Sequence, residues 1–203
     1  MSNIDSLAQA FMKFPGIGTR QAKRFVYFLL SEDPYFVDTL AREIAELKKS
    51  IAQCSECFRF YPRAGTGTLC NVCIDDRDSA TLMVVEKDAD FESVRRSDSY
   101  AGRYFILGGT IPVLERDLAS KIRIHELLER IENGASDGLS EIILALSVNP
   151  ESDFTREYVT KVLSPVAKKL GITITALGRG LSTGTELEYS DGDTLRHALK
   201  NRS

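Results

Sequence analysis

Several things are missing from this 203-residue chain, and each absence narrows its function. No run approaches the ~18 apolar residues that a membrane-spanning helix needs, so no membrane role is expected. Residues 1–10 carry neither a basic n-region nor an apolar h-region, which argues against a secretory leader. Histidine occurs only as His125 and His197. Neither has a nucleophile or metal-ligand partner nearby in sequence, so both read as structural or surface residues. The glycine-rich segment from Gly178 to Gly184 lacks the Gly-Lys-Ser/Thr ending that reaches a triphosphate, which argues against ATP binding. Outside residues 54–73 there is no cysteine at all.

The cysteines that are present are Cys54, Cys57, Cys70 and Cys73. Their order is C-x2-C, a 12-residue loop, then C-x2-C. Two such pairs converge into four thiolates around one tetrahedral Zn²⁺. Disulfides are the competing reading, but they belong to small secreted chains. A chain without a leader is expected in the cytoplasm, where thiols stay reduced and paired cysteines hold metal. Structural zinc is therefore the expected cofactor. In the loop between the pairs, Phe58, Phe60 and Tyr61 are expected to cover the small metal core. Arg59 and Arg63 are minor candidates for nucleic-acid contact.

Charge is distributed unevenly. The net charge is -3. Residues 1–73 hold nine Lys/Arg and seven Asp/Glu, against 17 and 22 in residues 74–203. A basic head on an acidic body points to a localised anion-binding surface.

That head contains a specific pattern. Ile4, Leu7, Ala8, Phe11 and Met12 recur at helical spacing, and Pro15 stops the helix near Phe14. The sequence Phe14-Pro15-Gly16-Ile17-Gly18 then forms a tight hairpin whose glycines can take positive φ. Thr19 is the expected N-cap of a second helix over 20–30. This is a helix-hairpin-helix. Its hairpin would expose backbone N–H groups at a helix start whose dipole favours an anion. Gly16, Gly18, Arg20, Lys23 and Arg24 are therefore the candidate DNA-binding residues, reading phosphate without sequence preference. Asp33-Pro34 opens a third helix, whose Leu40, Ile44, Leu47 and Ile51 read as core.

After the cysteines the pattern alternates. Apolar strands are expected at 81–85, 104–107, 141–146 and 171–176. Helices are expected at 89–96, 122–131, 154–170 and 194–200. Such alternation builds a parallel sheet flanked by helices, with ligands at the carboxyl ends of the strands. Glu86 closes the first strand, and Glu151 and Asp153 follow the third. These carboxylates are candidates to hold Mg²⁺ or a partner. No catalytic residue is identified.

The motifs F-P-G-I-G-T-R-Q-A-K-R, the four cysteines, L-M-V-V-E, Y-A-G-R-Y-F-I-L-G-G, E-I-I-L-A-L and G-L-S-T-G-T-E-L-E-Y-S-D-G-D-T-L occur in that order. Together they make the chain resemble the bacterial RecR family of recombination mediators over essentially its full length. The resemblance implies an α+β chain of four parts: a helix-hairpin-helix at 1–53, a four-cysteine zinc finger at 54–76, a Toprim α/β domain at 77–177, and a Walker-B-like tail with a short strand and helix at 178–203. It implies no catalysis. It implies a ring-like clamp, commonly a homotetramer or else a dimer, on single- or double-stranded DNA. The implied partners are RecO and RecF, the implied action is loading RecA onto SSB-coated single strands, and the implied location is the cytoplasm, with nucleoid association during repair. Arg20 stands where the family usually has Lys, Arg24 on the family's Arg, and Glu86 on the Toprim glutamate that looks involved in RecO contact. Glu151 and Asp153 match the second acidic motif. Ser152 and Thr185 depart from common glycines. Toprim sheets also serve Mg²⁺-dependent nucleases, which is the alternative activity.

Overall fold

The computed structural model describes residues 2–63, 65–115, 117–178, 181, 184, 186–190 and 192–200, apart from the side chains at 193, 197 and 200. The chain divides into two compact units, residues 1–52 and 53–203.

Unit one is helical. Helix α1 (Asn3–Phe11) is capped by Ser2, whose hydroxyl accepts from Asp5 N–H. Helix α2 (Thr19–Ser31) follows the hairpin. The two helices pack through buried Ala8, Ala22 and Val26, with Ile4, Phe11 and Ile17 around them. Phe11 and Phe25 meet edge to face at 5.6 Å. Helix α3 (Pro34–Ser50) starts as expected, with the Asp33 carboxylate accepting from Phe36 N–H at 3.0 Å and Pro at the first turn. Its expected core stripe is not a core. The helix buries no residue, Ile44 and Leu47 are 63% and 59% exposed, and Leu40 and Ile51 are only half-buried. Helical periodicity identifies an apolar face, but it cannot say whether the same protomer covers it.

Unit two holds the sheet. Strands β1 (Ile51–Gln53) and β2 (Phe60–Pro62) form a two-stranded sheet beside the cysteines, and α4 (Asn71–Ile74) carries the last of them. The main sheet comprises β3 (Asp78–Val85), β4 (Gly102–Ile106), β5 (Glu141–Ala145) and β6 (Thr173–Ala176) in the order β4-β3-β5-β6. All three pairings are parallel. Helices α5 (Asp88–Ser97), α6 (Ile124–Ser136) and α7 (Pro150–Leu170) alternate with the strands.

The apolar strand runs have a direct cause, because the middle of the sheet is covered on both faces. Leu82, Val84, Phe105, Ile142 and Leu144 join Ile124, Leu127 and Ile131 of α6 and Val159 and Leu163 of α7 in one core. Tyr104, by contrast, meets Phe91 of α5 edge to face at 4.8 Å. Each such side chain, fully buried, stabilises the fold by about 1.5–3 kcal/mol. Pro165 lies inside α7, which continues to Leu170.

In the tail, the described residues form a 3₁₀ turn (Leu187–Tyr189) followed by α8 (Gly192–Lys200). Among the described residues no strand pairs with that segment. Thr185 lies outside the described residues.

Candidate metal centre and nucleic-acid interface

The four thiols come together. All four sulfurs lie within 4.8 Å of one another, with Cys54 Sγ–Cys73 Sγ at 3.7 Å and Cys57 Sγ–Cys70 Sγ at 3.6 Å. A tetrahedron with metal–sulfur arms of ~2.3 Å has edges of about 3.8 Å, so the spacing fits a four-thiolate metal centre. Local hydrogen bonds shape the two knuckles. Phe58 N–H donates to Cys54 O, Cys73 and Ile74 N–H both donate to Cys70 O, and Cys70 N–H donates to the Cys54 sulfur at 3.4 Å. The first knuckle requires Phe58 at φ 60°, a strained position for a residue with a Cβ. Packing holds it there: its ring lies 5.3 Å from that of Phe105, with the Arg123 guanidinium 5.4 Å above it.

Hydrogen bonding among the four sulfurs couples the ionisation of each thiol to the others. Four thiolates at this spacing need a cation among them.

This module is bonded to the main sheet. Ile106 N–H, on the outer edge of β4, donates to Cys57 O at 2.9 Å. Phe60 N–H donates to Asp88 Oδ1 at 2.8 Å, and Arg130 pairs with Glu56 at 3.4 Å. Arg59, considered above for nucleic acid, is only 7% exposed. Its guanidinium stacks over Phe91 at 4.6 Å and contacts Asn71 and Glu92, each at 3.3 Å. Arg59 therefore fastens the module to α5, while Arg63 is exposed. Of the loop aromatics, Tyr61 is buried and donates its hydroxyl to Gly67 O, whereas Phe60 is exposed rather than covering the core.

The acids at the strand ends do not converge. Among the described residues, the four cysteines are the only group of three or more candidate ligands close enough to hold a metal, so Glu86, Glu151 and Asp153 form no three-carboxylate cage for Mg²⁺. Glu86 is 3% exposed. Its carboxylate accepts from Ser147 N–H at 2.7 Å and Ser147 Oγ at 3.1 Å, tying the end of β3 to the end of β5. Nothing in the sequence marked Ser147, which becomes visible only through the sheet order. Gly108, whose N–H donates to Glu86 O at 3.0 Å, has φ 99°, and a Cβ there would stand 2.8 Å from Arg123 Nη1. Glu151 is exposed, 3.4 Å from Thr110 Oγ1. Asp153 pairs with Arg156 at 2.7 Å. Between them, Ser152 is fully buried; its N–H donates to the Asn149 cap, and its hydroxyl finds no partner among the described residues.

In unit one the hairpin differs from expectation in two details. Only Gly16 has positive φ, at 75°. Gly18, at φ -87°, is the N-cap of α2, and Thr19 is the first helical residue. The cap offers no side-chain acceptor, and the first turn has no acid. A Cβ at either glycine would meet nothing within 4 Å, so the backbone there is open to an approaching group. Arg20, Lys23 and Arg24 are all exposed. An uncapped helix start, bare backbone and three cations form a phosphate-type surface.

Comparison with known proteins agrees with this layout. Residues 4–48 match the family description "RecR, helix-hairpin-helix", residues 80–177 match "Toprim domain", and residues 180–203 match "RecR, C-terminal". Among curated relatives named "Recombination protein RecR", that of Bacteroides thetaiotaomicron is 36% identical over 201 residues, covering 98% of this chain and 93% of the relative. That of Chloroflexus aurantiacus is 35% identical over 200 residues, with coverage of 98% and 93%. That of Paenarthrobacter aurescens is 34% identical over 200 residues, with coverage of 98% and 95%.

Proposed function

This chain belongs to the RecR family of recombination proteins, and on that premise we propose that it is a non-enzymatic mediator of DNA recombination and repair. It grips DNA backbone, assembles with further copies of itself into a ring-like clamp, and acts with RecO and RecF to load RecA on SSB-coated single strands. In this reading residues 1–53 grip DNA, 54–76 hold the metal, 77–177 present the partner surface and 178–203 form the tail.

The observation that carries the reading is the uncapped start of α2, with Gly16, Gly18, Arg20, Lys23 and Arg24 around it. One such contact is weak and indifferent to sequence. Several copies in one ring multiply it through effective concentration. The bare face of α3 supports self-association. A second copy packed on it would cover Ile44 and Leu47, which are 63% and 59% exposed.

The bound metal is zinc in this reading, since four soft thiolates at tetrahedral spacing suit it and leave no open position for chemistry. Zinc would supply cross-linking of the two knuckles, and the residues around it do the rest. Glu86, already engaged by Ser147, keeps the strand ends together. Glu151, exposed and 3.4 Å from Thr110 Oγ1, meets a basic partner.

Fluorescence anisotropy with labelled DNA at several salt concentrations tests the DNA reading. Each lost phosphate contact should lower the slope of log affinity against log salt by about 0.9 on duplex. Arg20→Ala with Arg24→Ala should therefore weaken binding and flatten the slope. Unchanged affinity and slope would leave the chain a protein adaptor without DNA contact.

A further inference from the structure

The solvent face of α2 is not purely basic. A helix turns 100° per residue, so Arg20, Arg24 and Tyr27 lie at i, i+4 and i+7 on one stripe, with Lys23 alongside. Tyr27 sits about 10 Å along the axis from Arg20, one turn beyond Lys23 and Arg24 on the same face. It is 58% exposed.

Of the other exposed aromatics of unit one, Phe28 and Phe14 have ring partners, and Tyr35, 77% exposed, belongs to α3 and not to this helix. Phe28 stands edge-on to Phe36 at 6.1 Å, and Phe14 is tilted against Phe11 at 6.1 Å. Tyr27 has no ring partner among the described residues. The buried face of the same helix is filled by Ala22 and Val26, so the tyrosine is not needed for packing within the unit. Cations that hold a backbone, followed by one free ring on the same line, are what an unpaired strand engages: phosphate on the cations and a base on the ring. A duplex can use the cations but has no free base face to give the ring.

We propose that Tyr27 is a base-stacking platform that extends the phosphate site of α2 and makes it favour single-stranded DNA. The proposal rests on the DNA-binding reading above and adds the class of strand. Full-length protein is titrated with labelled oligo(dT) and with a duplex of equal length, at low and raised salt. Tyr27→Ala should weaken oligo(dT) binding about fivefold or more, change duplex binding less than twofold, and leave the salt slope unaltered. Tyr27→Phe should bind both as the parent does.

The chain has no tryptophan, so Tyr27→Trp introduces a single indole whose emission oligo(dT) should quench and duplex should not. This readout decides the matter even if the alanine variant folds poorly. Equal losses on both DNAs, no loss on oligo(dT), or an unquenched indole would overturn the proposal. So would a change in particle mass of Tyr27→Ala by light scattering, which would place the ring in a protein contact. A parent chain that binds neither DNA sinks both readings. A parent that binds both, with Tyr27→Ala indifferent, sinks only this one.

Discussion

Arg59 shows how residue type misleads when burial is unknown. An arginine among aromatics beside a metal motif looks like a nucleic-acid contact, yet it lies under Asn71, Phe91 and Glu92. Arg59→Ala should lower stability by about 1–3 kcal/mol in denaturant unfolding, through lost packing as well as lost charge, and leave DNA affinity as it was. A stable variant with weakened DNA binding would restore the role suggested by its sequence context. Tyr100 offers a second test at this scale. Burial pushes its phenol up to about 12, against about 10 in the unfolded chain. The folded state therefore retains a proton that the unfolded state has given up. The stability this confers is whole below pH 10 and is lost as pH rises through about 12. Tyr100→Phe should flatten that alkaline decline, as followed by unfolding midpoints across the range.

At the scale of elements, α3 and the strand-end acids mark the limits of pattern reading. The start of α3 was legible in Asp33-Pro34, because cap and proline act locally. Its bare face was not, since burial depends on what lies opposite. Leu47→Glu should shift the light-scattering mass toward smaller species while helical content is kept. An unchanged mass would remove α3 from the self-contact. Glu86 is the reverse case, looking like an exposed strand-end acid but buried against Ser147. Glu151→Lys should therefore reduce capture of RecO in pull-downs while leaving DNA binding intact, and equal capture would count against an acidic partner surface at α7.

For the whole molecule, the metal module is an edge fastener of the main sheet. Cys57 O occupies the outer N–H of Ile106, and Asp88 holds Phe60. Metal binding to such a site is coupled to folding. Stripping the metal should speed hydrogen exchange first at the Ile106 and Phe60 amides and lower the melting temperature. A chelated protein protected at both amides would show that packing alone holds the module.

Sequence alone determined the parts and their order. The cysteine spacing, the Pro-Gly-Ile-Gly hairpin with its cations, and the strand–helix alternation are local signals, each set by geometry over a few residues. The apolar runs identified the sheet because strands covered on both faces need no polar side. Tertiary structure decided which charges are free to meet a ligand. Arg59 and Glu86 were drawn inside by residues distant in sequence, and Arg20, Lys23, Arg24 and Tyr27 were left on one open helix face. Exposure is a property of what packs opposite, and no local pattern encodes it.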